Sequence, residues 1–206
     1  MAMILNEEQV MLRDSAKDFC TNNTPITQMR KLRDEKADLG FDNDTWQQMV
    51  ELGWPGMAVA EEHGGFEFGY AGLGVVLEES GRTLVNSPLI ASVLFGASLI
   101  SETGSPGQKS TLLPKVVSGE LLLAVAIDEA PVHKPQHINT SAKKDGDHYI
   151  LNGEKTFVLD GHIANKLIIV ARTAGDVEST AGVSLFLVDA DVQGLEIQRT
   201  HMVDNR

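Results

Sequence analysis

Near Gly119 the apolar pattern of this chain changes period, and that change limits the possible folds more than any single motif does. Upstream, apolar residues recur at helical spacing. Leu5, Leu12, Ala16 and Phe19 form one stripe. Trp46, Met49 and Val50 form a second, stopped by Gly53, and Leu73, Val76 and Leu77 a third, stopped by Gly81. Downstream, Leu121 to Ile127 is a continuous apolar run suited to a buried strand. Ile138, Thr140 and Ala142 then alternate with Asn139, Ser141 and Lys143, which is the period of a strand. A helical block followed by a strand block predicts two domains of an α+β chain, with the boundary near residues 118 to 121.

The local punctuation agrees. Asn6 with Gln9, and Ser105 with Gln108, have the spacing of capping boxes. Ser87-Pro88 predicts a helix start, with Ile90, Val93, Leu94 and Ala97 facing inward and Gly104 ending it. Asp145-Gly146 and Asn152-Gly153 both predict hairpin turns, because tight primed turns need positive φ. Leu167 to Ala171 reads as a second buried strand, and Val183 to Val188 and Leu195 to Ile197 as further strands.

Composition narrows the class. The 206 residues carry 29 acidic and 17 basic side chains, a formal net charge of −12, which argues against a nucleic-acid surface. No apolar run is long enough to span a bilayer, and the N-terminus lacks the pattern of a secretory signal, so the cytoplasm is the expected compartment. One cysteine, Cys20, permits neither an internal disulfide nor a cysteine zinc cluster.

Several apparent motifs read as ordinary structure. Gly72-Leu-Gly74 begins like a dinucleotide fingerprint but lies in a helical pattern, with Leu77 at the third glycine position. His133 and His137 are flanked by Pro131 and Pro135, which turns a helical metal pair into a solvated loop. Trp46 and Trp54 are expected as core anchors. Glu61, Glu62, Glu78 and Glu79 are expected to face solvent rather than to act as paired acids.

An ordered set of stretches resembles one family. Leu52-Gly-Trp-Pro-Gly56 through Glu61-Glu-His-Gly-Gly65 is similar to the Leu-Gly-Trp … Pro-Glu-Glu-x-Gly-Gly region of the acyl-CoA dehydrogenases, with Ala60 where proline is usual. Val76-Leu-Glu-Glu-Ser-Gly-Arg82 resembles the helix ending in Glu-x-Gly-Arg. Leu113-Pro114 with Ser118-Gly-Glu120 resembles the domain junction. Asp147 to Gly153, Ala164 to Thr173, Gly182 to Asp189 and Asp204-Asn-Arg206 resemble parts of the middle domain. The resemblance implies a helical domain over 1–119 and an antiparallel β-barrel domain over 120–206, without the family's third, C-terminal domain.

The same resemblance implies FAD as cofactor, acyl-CoA as substrate, and a homo- or hetero-oligomer of dehydrogenase subunits acting in fatty acid metabolism. In such a reaction a glutamate removes the α-proton of the thioester while the β-hydrogen leaves as hydride to the flavin. That glutamate belongs to the C-terminal domain, so no catalytic residue is assigned here and the chain alone is expected to be inactive. The family holds its flavin through Thr-Glu-Pro followed by Gly-Ser-Asp, and ungapped alignment sets Ile127, Asp128 and Glu129 on the first trio. Val132, His133 and Lys134 fall on the second, so both hydroxyls are replaced. The family's aromatic-x-Thr/Ser-Asn-Gly stretch reads Phe157-Val-Leu-Asp-Gly161, where Phe157 can stack and Leu159 cannot donate a hydrogen bond. The expected cofactor-facing positions are therefore Ile127, Asp128, His133, Phe157 and Leu159. Two readings follow: a dehydrogenase shorn of its C-terminal domain, or a non-catalytic scaffold subunit with a degraded flavin site. Acyl-CoA oxidases and flavin monooxygenases share the scaffold, so fold alone does not set the reaction.

Overall fold

The structure is a computed structural model that describes residues 4–204; Met1–Met3, Asn205 and Arg206 lie outside the described residues, and with them the end of the stretch read at Asp204. The chain forms two compact units. One comprises the residues up to Leu121 together with those from Thr200, and the other spans Leu122–Arg199.

The first unit is helical. Its helices are α1 (Glu7–Asn23), α2 (Ile26–Asp34), α3 (Asn43–Glu51), α4 (Gly69–Arg82), α5 (Ser98–Thr103) and α6 (Pro106–Val117). Both expected capping boxes form. Asn6 accepts from Gln9 N and Ser105 from Gln108 N, while each glutamine side chain accepts from the N-cap backbone. Burial follows the stripes: Ala16, Cys20, Trp46, Met49, Leu73, Val76, Leu112 and Leu113 are all inside. Trp54 is also buried, edge-on to Phe19 with ring centroids 5.1 Å apart. Among the described residues no helix is long and apolar enough to cross a membrane.

Two expectations in this unit are corrected. Residues Leu89–Ala97 wind as a π-helix before α5. Its i→i+5 bonding turns each successive residue through a smaller angle than an α-helix does. The buried set is therefore Leu89, Ala91, Ser92, Val93, Gly96 and Ala97, while Ile90 is exposed and Leu94 only half-buried. Glu79 does not face solvent, because it shares the inner face of α4 with Val75, Val76 and Ser80. Its carboxylate lies 3.0 Å from Arg82 Nε, while exposed Glu78 accepts from Arg82 Nη2.

The second unit is a five-stranded sheet of β1 (Leu123–Ala126), β2 (Ser141–Asp145), β3 (His148–Asn152), β4 (Lys166–Arg172) and β5 (Val183–Asp189). The expected antiparallel pairing holds for β2 with β3 and for β4 with β5. The sheet is nevertheless mixed: β1 runs parallel to β4 from Leu123↔Lys166 to Ala126↔Ile169, and β2 meets β4 in parallel at Ser141↔Arg172. Since β5 pairs with β4 along its whole length, β1 and β2 take successive stretches of the other edge of β4. Strand β4 is buried beyond its first residue, as its apolar run predicts, and β5 is half-exposed. Ala124, Ala126, Ala164, Leu167 and Ile169 form the core cluster, with Leu151, Val158, Val188 and Leu195 packed against it.

Only one of the two predicted hairpin turns is a turn. Asp145 pairs with His148 across a two-residue loop whose first central residue, Gly146, has φ +59, as a II′ turn requires. Gly153 instead follows the end of β3 and lies against Thr140. A Cβ there would stand 2.4 Å from Thr140 Oγ1 and 2.6 Å from its Cα. Leu195 to Ile197 is not a strand; burial of Leu195 against the sheet core explains the apolar pattern without a ladder.

Candidate functional site

The positions of interest lie on two loops of the sheet unit. The first, from Ile127, leaves β1 and runs to β2; the second, from Gly153, leaves β3 and runs to β4. Neither loop has a ladder partner, so its backbone groups must be satisfied individually. The loops bond to each other. Thr156 N donates to Asp128 O at 2.7 Å, Thr156 Oγ1 to Ala130 O at 3.4 Å, and Lys155 Nζ to Ile127 O at 2.9 Å.

At their junction sits a buried ion pair. Lys155 Nζ lies 2.7 Å from Glu129 Oε1, and both side chains are less than one-tenth exposed. Glu129 also accepts from Asn139 N at 2.6 Å and Thr140 N at 2.9 Å. Burial alone would raise the Glu129 carboxyl, but the Lys155 ammonium, the Thr140 hydroxyl and the two backbone donors outweigh it and hold the pKa at about 2. Burial draws Lys155 below its ordinary value, against the opposing pull of Glu129 and Asp128. The carboxylate therefore stays charged and pins three chain segments at one point. Thr140 Oγ1 is buried beneath Gly153.

Beside this clamp lies a second pair, of half-buried Asp128 and exposed His133. Asp128 accepts from His133 Nδ1 at 2.8 and 3.1 Å through its two oxygens, and from Lys134 N at 3.1 Å. His137 goes to a different carboxylate, Glu178, at 3.5 Å, so the two histidines do not converge on one point. Among the described residues no group of three metal-ligating side chains forms.

Phe157 and Leu159 lie on the second loop. Phe157 is 66% exposed with φ +51, and Asp160 is buried with φ +57. A bulky residue in the left-handed region is strained, and such strain persists only where neighbours impose it. Here the clasp of Thr156 holds one side and Val158, packed on the sheet core, the other. The fold thus brings Ile127, Asp128 and His133 onto a loop bonded to the one that presents Phe157 and Leu159. Sequence reasoning missed the Glu129–Lys155 clamp. Its one available signal was Glu129 itself, standing inside the first motif trio.

The acyl-CoA dehydrogenase N-terminal domain model matches residues 6–120, and the acyl-CoA dehydrogenase middle domain model matches residues 132–204. The chain belongs to the acyl-CoA dehydrogenase family. It is 30% identical over 200 residues to mitochondrial isovaleryl-CoA dehydrogenase of Pongo abelii, a match covering 95% of this chain and 47% of that protein. Among solved structures, a variant of the Tcur3481-Tcur3483 steroid ACAD is 32% identical with a TM-score of 0.82, covering 95% of this chain and 51% of that one. The ChsE4-ChsE5 complex from Mycobacterium tuberculosis is 26% identical with a TM-score of 0.84, covering 98% and 52%. The chain spans about half the length of the acyl-CoA dehydrogenases it matches.

Proposed function

We propose that this chain forms the helical and middle domains, residues 1–119 and 120–206, of a subunit in an FAD-dependent acyl-CoA dehydrogenase. The assembly introduces the α,β double bond of an acyl-CoA thioester. The ordered match of both family domains along one chain carries this reading. FAD, where an assembly holds it, supplies the hydride acceptor. The 206 residues bring no assigned base for the α-proton, so they do not turn over acyl-CoA alone. Acyl-CoA-dependent bleaching of added FAD by the purified chain would overturn this. Bleaching only after co-expression with a complete family subunit from the same genome supports it.

The donor chemistry of the two loops favours the scaffold form of this reading. The polar edge of a flavin ring consists mostly of acceptors, so a cradle must offer donors. Ile127 and Leu159 have no polar side-chain atoms, Asp128 is acceptor-only, and the His133 Nδ1–H is engaged by Asp128. Only the exposed Phe157 ring is suited to stacking on a flavin. These side chains do not fit FAD. The chain then acts as the non-flavin member of a heteromeric dehydrogenase, and two of its structural neighbours bear two-component names. Supplying FAD to the isolated chain and measuring visible flavin absorbance after desalting tests this form, which predicts a colourless protein.

A further inference from the structure

We propose that the free edge of β5 is a self-association surface, on which a second copy of this chain adds its own β5 antiparallel across a two-fold axis. Strand β5 pairs only with β4, so among the described residues its far edge has no strand partner. The register fixes where its backbone groups point. At the two ends of the β4–β5 ladder, Thr173 N donates to Gly182 O at 2.8 Å and Ala190 N to Asn165 O at 3.0 Å. Hydrogen-bonded and non-bonded pairs alternate along an antiparallel ladder, so Ser184, Phe186 and Val188 also turn their N–H and C=O groups to β4. Val183, Leu185, Leu187 and Asp189 turn theirs outward. Among the described residues the one backbone bond these outward groups make is from Val192 N to Asp189 O, at 3.2 Å.

Edge strands are commonly shielded by lysine, proline, bulges or shortness. Strand β5 has none of these: its seven residues include no proline, glycine or cation, and Asp189 is its single charge. Val183 and Leu185, whose backbone groups face outward, also leave their side chains 37% and 41% exposed. The other free edges are poorer templates, since β1 has four residues and β3 has five, with His148 and Asn152 at its ends. The sequence of β5 is also complementary to itself. Antiparallel pairing centred on Phe186 sets Leu185 opposite Leu187 of the second copy, Ser184 opposite Val188, and Val183 opposite Asp189. Every outward group then meets an outward group along the whole strand. A one-residue slip would face outward groups with inward ones, and a longer slip would leave strand ends unpaired. Charge permits the approach at this edge. Two copies of a chain of net charge −12 repel at long range, but here the one acid is ion-paired with Lys166 and the two aspartates fall at opposite ends. Strands of this length fall short of the roughly 1,200 Å² that a stable interface buries, so the dimer is weak and forms as concentration rises.

The test is sedimentation equilibrium of the intact 206-residue chain over a concentration series, at low and at high salt. Wild type is expected to pass from monomer to dimer, and more readily at high salt, which screens the repulsion. Leu185→Pro removes an outward N–H while leaving the β4 ladder whole, and Leu185→Lys sets a charge on the edge. Each should weaken dimerisation at least about tenfold. Ile150→Lys, the same kind of change on exposed β3, should leave it unaltered. Thermal melts followed by circular dichroism establish that each variant folds, and if Leu185→Pro does not, Leu185→Lys decides. A wild-type chain that stays monomeric at every concentration would overturn the proposal. So would a dimer indifferent to the Leu185 variants, or one that Ile150→Lys dissolves equally. If the chain stays monomeric but binds a complete dehydrogenase subunit, and a Leu185 variant abolishes that binding, the edge belongs to a heteromeric partner and the proposal falls.

Discussion

The helical unit buries Trp54, Met49, Leu73, Leu89 and Leu113 and joins α1 to α4 through neutral groups, whereas the sheet unit closes its loops with charged side chains that are themselves buried. Between α1 and α4, Thr24 and Thr83 share a hydrogen bond at 3.2 Å and Cys20 Sγ lies 3.9 Å from Ser80 Oγ. Burial pushes the Cys20 thiol up, so it stays protonated and inert there. In the sheet unit, by contrast, Arg172 is 8% exposed and ion-paired with no carboxylate among the described residues. Its guanidinium donates to the carbonyls of Ile138, Ala181, Val177 and Ser179 at 2.8–3.2 Å. Helices satisfy their own backbone, leaving apolar faces to meet. Loops do not, so long charged side chains, Arg172 from β4 and Glu129 and Lys155 from the loops themselves, replace the missing ladder. The candidate site sits on loops held in this second way.

Four substitutions separate the two regimes. Trp54→Ala removes the largest fully buried side chain of the helical unit and should cost about 4 kcal/mol, read as a lowered denaturant midpoint with Trp46 as the remaining fluorophore. An unchanged midpoint would break the claim that apolar burial dominates there. Lys155→Ala leaves Glu129 buried without its cation and should cost about 3 kcal/mol, with faster hydrogen exchange at β1, β2 and β4.

Acid sharpens the second test. A carboxyl whose folded pKa is depressed to about 2 contributes stability that is fully present above its ordinary value near 4.5 and lost as pH falls through about 2. The stability gap between wild type and Lys155→Ala should therefore be constant at neutral pH and shrink in strong acid. A gap that persists below pH 2 would mean that Lys155 acts by packing alone.

Smaller effects follow. Gly153→Ala drives a Cβ into the backbone of Thr140 and should cost about 2 kcal/mol, visible as lost protection where β2 meets β3. Ser105→Ala removes one side of a capping box and should cost about 1 kcal/mol, measurable in the thermal midpoint. Because that box is local and exposed, a loss as large as that of Lys155→Ala would erase the contrast between the units.

What could be read directly was local. The capping boxes at Asn6 and Ser105 need partners three residues away, and the burial of Leu167 to Ala171 needs only an uninterrupted apolar run. Phase was harder. Glu78 and Glu79 are adjacent and identical in sequence, and only the rotation of α4 against its neighbours puts one in solvent and the other inside. The π winding of Leu89–Ala97 displaced Ile90 outward for the same reason. Within the candidate site, Asp128 and His133 were singled out by position, but nothing in their spacing announced that they would bond to each other.

By itself, the sequence determined that helices precede strands, where the caps and one turn lie, and that Trp46, Trp54 and Leu167 to Ala171 are buried, because periodicity and capping act over a few residues. The tertiary structure alone decided that β1 and β4 run parallel, that Gly153 yields to Thr140 rather than turning a hairpin, and that Glu129 finds Lys155 26 residues away. Those outcomes depend on which distant segments compete for the same edge, space or charge, and that competition is settled only when the chain has closed on itself.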